Sequence, residues 1–312
     1  MILLCFAVHG HLFINVPTVP VMQDSGVIAF VLIKYIKFLQ PTAISLLYMA
    51  IVLLQAIRLN ILLNEYRMFS QTGFTTAMSY VLLTGFFPEW ASITPALIAN
   101  SFVIWIFIQL TKLYNNPSPK SLLFNTGLIV GAAVLCYHSI ALLLIIVFFA
   151  LIIVRPFVLS EWFVLLLGVL MPFYIIGALL FLNDKIGMWQ SFVPRIHFTK
   201  VLVTNNIWFW VNVGIATILL LFGFITLNNN TNRMVIQIRK NWGIITVMAF
   251  IMIPLPFLFI DAGMAATALS MVPFAAIISN VFVYPRKMWW PNILFFLALA
   301  AVIHNNWVII KN

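Results

Sequence analysis

Residues 121–154 read SLLFNTGLIVGAAVLCYHSIALLLIIVFFALIIV, set between Lys120 and Arg155 with no Asp, Glu, Lys or Arg inside. As one helix they would reach about 51 Å at 1.5 Å per residue, whereas the hydrocarbon of a bilayer is about 30 Å thick. The stretch is therefore expected to cross twice, turning at Cys136-Tyr137-His138-Ser139, the most polar cluster near its middle. Each arm then has about 15 or 16 residues, short for a crossing. Short arms predict a water-filled recess above the turn, with His138 at its floor.

Composition agrees with a lipid environment. The 312 residues are 64% hydrophobic and 7% charged, more apolar surface than a water-soluble fold of this length can hide. The apolar runs are continuous and of helical length, which excludes the alternating pattern of a β-barrel. The net charge of +10 comes from 16 Lys and Arg scattered singly or in pairs between apolar runs. That distribution sets topology and does not form a nucleic-acid surface. Cys5 and Cys136 both lie inside apolar segments, so neither a structural disulfide nor a zinc site is expected.

Outward from the central stretch, the pattern predicts an all-α polytopic bundle of about eleven spans in a single membrane domain (residues 1–312). The first span, Ile2 to Val16, has neither the basic start nor the small-residue cleavage site of a secretory signal. Pro17 and Pro20 then forbid helix before Asp24-Ser25-Gly26 marks a turn or helix start. Val27 to Gln40 carries Lys34 and Lys37 on an apolar background, and suits a helix lying flat at the interface. Further spans follow at 42–57 (extensible to Leu63), 74–87, 93–111, 121–136, 139–154 and 162–182. After a polar loop at 183–205 the last four spans are 206–227, 243–260, 264–284 and 291–309. Pro172, Pro254, Pro256 and Pro273 are expected to kink their helices. Phe87-Pro88-Glu89-Trp90 reads as a tight interfacial turn with an aromatic anchor, and Arg155 is placed to pair with Glu161.

With the N-terminus in the cytoplasm, ten basic residues fall inside: Arg58, Arg67, Lys112, Lys120, Arg155, Arg233, Arg239, Lys240, Arg286 and Lys287. Six fall outside: Lys34, Lys37, Lys185, Arg195, Lys200 and Lys311. The bias favours this orientation, and the alternation holds only if residues 121–154 cross twice.

The scarcity of acids makes their position informative. Asp24, Glu89, Asp184 and Asp261 fall outside; Glu65 and Glu161 fall inside. Asp24 suits a general base or metal ligand beside a membrane recess, and equally suits a helix cap. Glu89 is a second catalytic candidate, or an interfacial acid paired with a cation. His138 is an ionisable group at membrane depth, read either as functional or as a neutral imidazole bonded to a carbonyl freed by the turn. Arg195, His197 and Lys200 in the outer loop can hold phosphate through charge-assisted hydrogen bonds, or are ordinary interfacial residues. His304, followed by Asn305-Asn306, reads as an interfacial polar cap. A divalent cation is the one cofactor left open, and no nucleotide-binding pattern is present.

Several stretches carry a resemblance. Ala77-Met78-Ser79-Tyr80, Phe87-Pro88-Glu89-Trp90, Leu97-Ile98-Ala99-Asn100, Leu113-Tyr114-Asn115-Asn116, Leu123-Phe124-Asn125-Thr126-Gly127, Arg155-Pro156-Phe157, Glu161-Trp162 and Pro172-Phe173-Tyr174 resemble an uncharacterised family of polytopic inner-membrane proteins of Bacteroidota. The short helices meeting at Tyr137-His138-Ser139 are also similar to the C-superfold membrane glycosyltransferases and exopolysaccharide polymerases. That likeness implies a polyprenyl-phosphate-linked sugar as substrate and gives Asp24 the place of the acid in the first outer loop. The chain departs from it in a very short first outer loop, a single acid there and no large outer domain. Three functions follow as expectations. The first is envelope biogenesis at the outer leaflet of the bacterial inner membrane. The second is a non-catalytic scaffold among other envelope membrane proteins. The third is a transporter of a small or lipidic solute.

Overall fold

A computed structural model describes residues 1–20, 26–185, 187, 193–194, 207–258, 263–284 and 289–308. Among these the chain is all-helical. The helices are α1 (Ile2–His9), α2 (Val27–Ile36), α3 (Pro41–Glu65), α4 (Thr75–Thr84), α5 (Pro95–Thr111), α6 (Pro119–Cys136), α7 (Leu143–Val154), α8 (Leu159–Leu182), α9 (Ile207–Thr231), α10 (Ile236–Met252), α11 (Gly263–Ala266), α12 (Met271–Val283) and α13 (Trp289–Ile303). Proline stands at the first helical position of α3, α5 and α6, where its missing N–H costs nothing. Thr94 caps α5 by accepting the amide of Leu97 at 3.2 Å.

Among the described residues six helical stretches are long and apolar enough to cross a membrane: Pro41–Glu65, Pro119–Cys136, Leu159–Leu182, Ile207–Thr231, Ile236–Phe257 and Gly263–Val283. The apolar helices Ile2–Phe13, Pro95–Thr111 and His138–Val154 are shorter, so length and composition mark six candidate crossings and not the expected eleven. Lipid is nonetheless the only solvent these surfaces tolerate. In α8, Phe163, Leu167, Leu170 and Leu179 are all more than half exposed, and an apolar helix turned outward in this way would aggregate in water.

The 121–154 stretch does break and fold back. α6 ends at Cys136, Tyr137 is extended (φ −148°, ψ 118°), and a 3₁₀ turn, His138–Leu142, leads into α7. Arg155, just past α7, donates to Leu113 O (3.2 Å) and Asn116 O (2.8 Å), which immediately precede α6. Both arms therefore start and finish at one end of the bundle. They diverge in between, α6 packing on α8 and α5 and α7 on α10. Backbone proximity holds α6 to α8: a Cβ on Gly127 would stand 2.3 Å from Leu165 O, and one on Gly168 2.3 Å from Phe124 O.

Cross-bundle hydrogen bonds define two ends. At the first, Trp242 Nε1 reaches Met68 O (3.2 Å), Lys240 Nζ reaches Val154 O (2.9 Å), and the Tyr284 hydroxyl accepts from the Ser70 amide (2.9 Å). Arg67, Lys112, Lys120, Arg155, Arg233, Arg239 and Lys240 belong to this cationic end, and Arg155 pairs there with Glu161 at 3.2 Å as expected. At the far end, Ser45 Oγ donates to Leu12 O (2.7 Å) and Tyr48 OH to Trp90 O (3.1 Å).

Several local expectations change. α3 runs unbroken past Arg58 to Glu65, because an exposed arginine near a helix end reaches water along its own stem. α8 continues through Pro172, whereas α10 stops at Met252 before Pro254, and Pro273 sits harmlessly in the first turn of α12. The Trp90 anchor points inward: it is 7% exposed and its indole donates to Met264 O (3.1 Å) and Thr267 Oγ1 (2.9 Å). Protein carbonyls have taken the place of the lipid interface as its partner.

Candidate functional site

The far end gathers the segments that carry His138 and Glu89. The chain leaves α1 through a 3₁₀ turn, Gly10–Phe13, and Thr18 O accepts the amide of Ile93 at 3.0 Å. At Gly26 it meets the break of the central stretch, where the Gly26 amide donates to Cys136 O at 3.0 Å. A Cβ here would stand 2.0 Å from Leu135 O, so only glycine lets the two backbones approach this closely. Ala29 and Ile33 of α2 then pack over Cys136, with Ile98 and Phe102 of α5 alongside. The next residues enter α3, which starts at this same end, so α2 begins and finishes here.

His138 adjoins this clasp and is only 5% exposed. It does not floor an open recess, because Gly26 and α2 lie across the break. The described recess at this end, about 230 Å³, lies to one side, between His11, Asn15 and Thr18, the Pro88 and Ala91 flanks of the Glu89 turn, and Asn305-Asn306. Glu89 sits half-buried in a 3₁₀ turn, Pro88–Trp90, and its Oε2 is shut off from solvent with no hydrogen-bond partner among the described residues. The cation expected to pair with it is not among them; the ion pair described is Arg155–Glu161. Asp24, Arg195, His197 and Lys200 lie outside the described residues, as do Asp261 and most of the 183–205 loop. Among the described residues no three His, Cys, Asp or Glu side chains gather to hold a metal ion.

Sequence reasoning missed the polar interior that fixes this end. Gln55 of α3 donates to Leu97 O (2.7 Å) and Ser101 Oγ (2.8 Å), and accepts from the hydroxyl of Tyr80 (2.7 Å). Asn100 donates to Ala268 O at 2.9 Å. His9 is wholly buried, with Nε2 2.9 Å from Thr84 Oγ1 and its ring edge-on to Tyr48. Past the short helix α4, the carbonyl of Phe86 accepts from both Asn212 (2.9 Å) and Asn305 (3.2 Å), while Gly85 O accepts from Asn306 (3.0 Å). Asn305 and Asn306 thus turn inward to satisfy another segment's carbonyls, and His304, read as an interfacial cap, lies against Trp208 with ring centroids 3.8 Å apart and planes tilted by 34°. A lone Gln or Asn within an apolar run was the available signal, since such a residue in lipid must find a partner on another helix.

No protein family, curated protein or solved structure matches this chain. What the fold itself defines is a multi-pass helical membrane protein with a glycine-clasped crossing at the end away from its basic loops.

Proposed function

We propose that this chain works in bacterial envelope biogenesis, as a multi-pass protein of the cytoplasmic membrane handling a polyprenyl-phosphate-linked sugar at the outer leaflet. In this reading the shorter helices also cross, giving eleven passes with the N-terminus and the cationic end in the cytoplasm. The observation that carries the proposal is the Gly26–Cys136 hydrogen bond. It sets Gly26, which follows Asp24 by two positions in the sequence, at the break that carries His138, and this supports the reading. Asp24 acts as base or metal ligand, His138 and Glu89 complete the polar site, and Arg195, His197 and Lys200 hold the lipid phosphate. The Glu89 carboxylate, with one oxygen shut off and unpartnered among the described residues, supports a role beyond a loop acid.

The test is mass spectrometry of lipids carried by the purified protein, together with glycan profiles of cells bearing Asp24→Asn. Bound polyprenyl phosphate and a lost or shortened envelope glycan are expected. Absence of the lipid with unaltered glycans overturns the proposal. A stable co-purifying membrane protein in that case supports the scaffold reading.

A further inference from the structure

At the cationic end, α9, α12 and α13 enclose a half-open cleft of about 630 Å³, within the range of small-molecule sites. Its shape follows from how the three helices are pinned. α9 and α13 converge at the far end, where the rings of Trp208 and His304 meet and Asn212 and Asn305 share the carbonyl of Phe86. Midway, α9 lies directly on α12, since a Cβ on Gly223 would stand 2.6 Å from Ile277 O. Beyond that crossing α9 and α13 separate, leaving α12 as the floor between two walls.

The lining is graded along the helix axes. Phe222 and Ile225 of α9 face Leu294 of α13 in the deeper part, while Asn229, Arg233 and Trp290 stand at the cationic mouth. From Phe222 to Asn229 the wall runs seven residues, about 10 Å at 1.5 Å per residue. No acidic side chain is among the lining residues. Arg233 is exposed and makes no ion pair among the described residues; Glu161 is paired with Arg155. An apolar slot opening sideways with an uncompensated guanidinium at headgroup depth complements a lipid whose head is negative.

We infer that this cleft holds one anionic phospholipid of the leaflet at the cationic end. One acyl chain lies between Phe222, Ile225 and Leu294, and the phosphate is held by Arg233 and Asn229. The site is separate from the one proposed at the far end, and does not depend on it. Arg286 and Lys287 lie outside the described residues.

Native mass spectrometry of the full chain in mild detergent tests this, titrating phosphatidylglycerol against phosphatidylcholine with identical acyl chains. One phosphatidylglycerol per chain is expected to bind at least tenfold more tightly than phosphatidylcholine. Arg233→Gln should abolish that preference and Arg233→Lys restore part of it, while Leu294→Trp, which fills the slot, should remove tight retention of either lipid. Arg233 lies in an exposed turn, so its variants keep the fold, and an unchanged melting temperature verifies it. Equal retention of the two lipids by the parent protein overturns the inference. So does a preference that survives Arg233→Gln, or retention unaffected by Leu294→Trp.

Discussion

Replacing Gly26 by alanine strikes the clasp between the start of α2 and the broken central stretch. The added methyl would stand 2.0 Å from Leu135 O and 3.1 Å from Cys136 C, where ordinary contact begins at 3.4 Å. Relief requires the two backbones to separate, which stretches the 3.0 Å hydrogen bond from the Gly26 amide to Cys136 O out of range. Leaving a buried pair of this kind unsatisfied costs about 1–3 kcal/mol. At about 1.4 kcal/mol per factor of ten, local opening becomes about 5- to 150-fold more frequent. Cys136 reports that opening, because it is wholly buried under Ala29 and Ile33 of α2. In a Cys5→Ala background it is the sole thiol, so maleimide alkylation in membranes reads its exposure directly. Gly26→Ala should accelerate alkylation by that factor. Gly73→Ala, where a Cβ meets nothing within 4 Å, should leave the rate unchanged. Alkylation of Gly26→Ala at the parent rate would refute the clasp.

Two further outcomes follow from the packing. Gly168→Ala forces a methyl to within 2.3 Å of Phe124 O, so α8 must lift from α6 at a cost of about 1–3 kcal/mol. Its melting temperature in detergent should fall while that of Gly214→Ala, with nothing within 4 Å, does not; equal melting of the two would contradict the close approach. Arg155→Gln removes the 3.2 Å ion pair to Glu161 and the donors to Leu113 O and Asn116 O, stranding a carboxylate that is 6% exposed. A loss of about 2–3 kcal/mol is expected, partly recovered when Glu161→Gln is added. Equal stability of the single and double variants would show that the two side chains are not coupled.

The polar site was legible only in outline. His138 and Glu89 stand out because ionisable residues are scarce in so apolar a chain, and both do fall at the end away from the basic loops. The depth at which each is held did not follow. His138 is covered because α2 packs on Cys136, and Glu89 sits in a turn anchored by the indole of Trp90 on Met264 and Thr267. Neither neighbour is near in sequence, and no local pattern marks the pairing.

Hydropathy and charge alone determined that the chain is helical, lives in lipid and doubles back between Lys120 and Arg155. Those features depend on length against bilayer thickness and on the cost of burying charge, which each segment carries by itself. Tertiary structure decided which helices touch. The Gly26–Cys136 approach, the Gly127–Gly168 contact and the two asparagines sharing the carbonyl of Phe86 join residues tens to hundreds of positions apart. In lipid, apolar faces are nearly interchangeable as partners, so shape and stranded hydrogen-bonding groups select the arrangement, and both exist only once the helices have met.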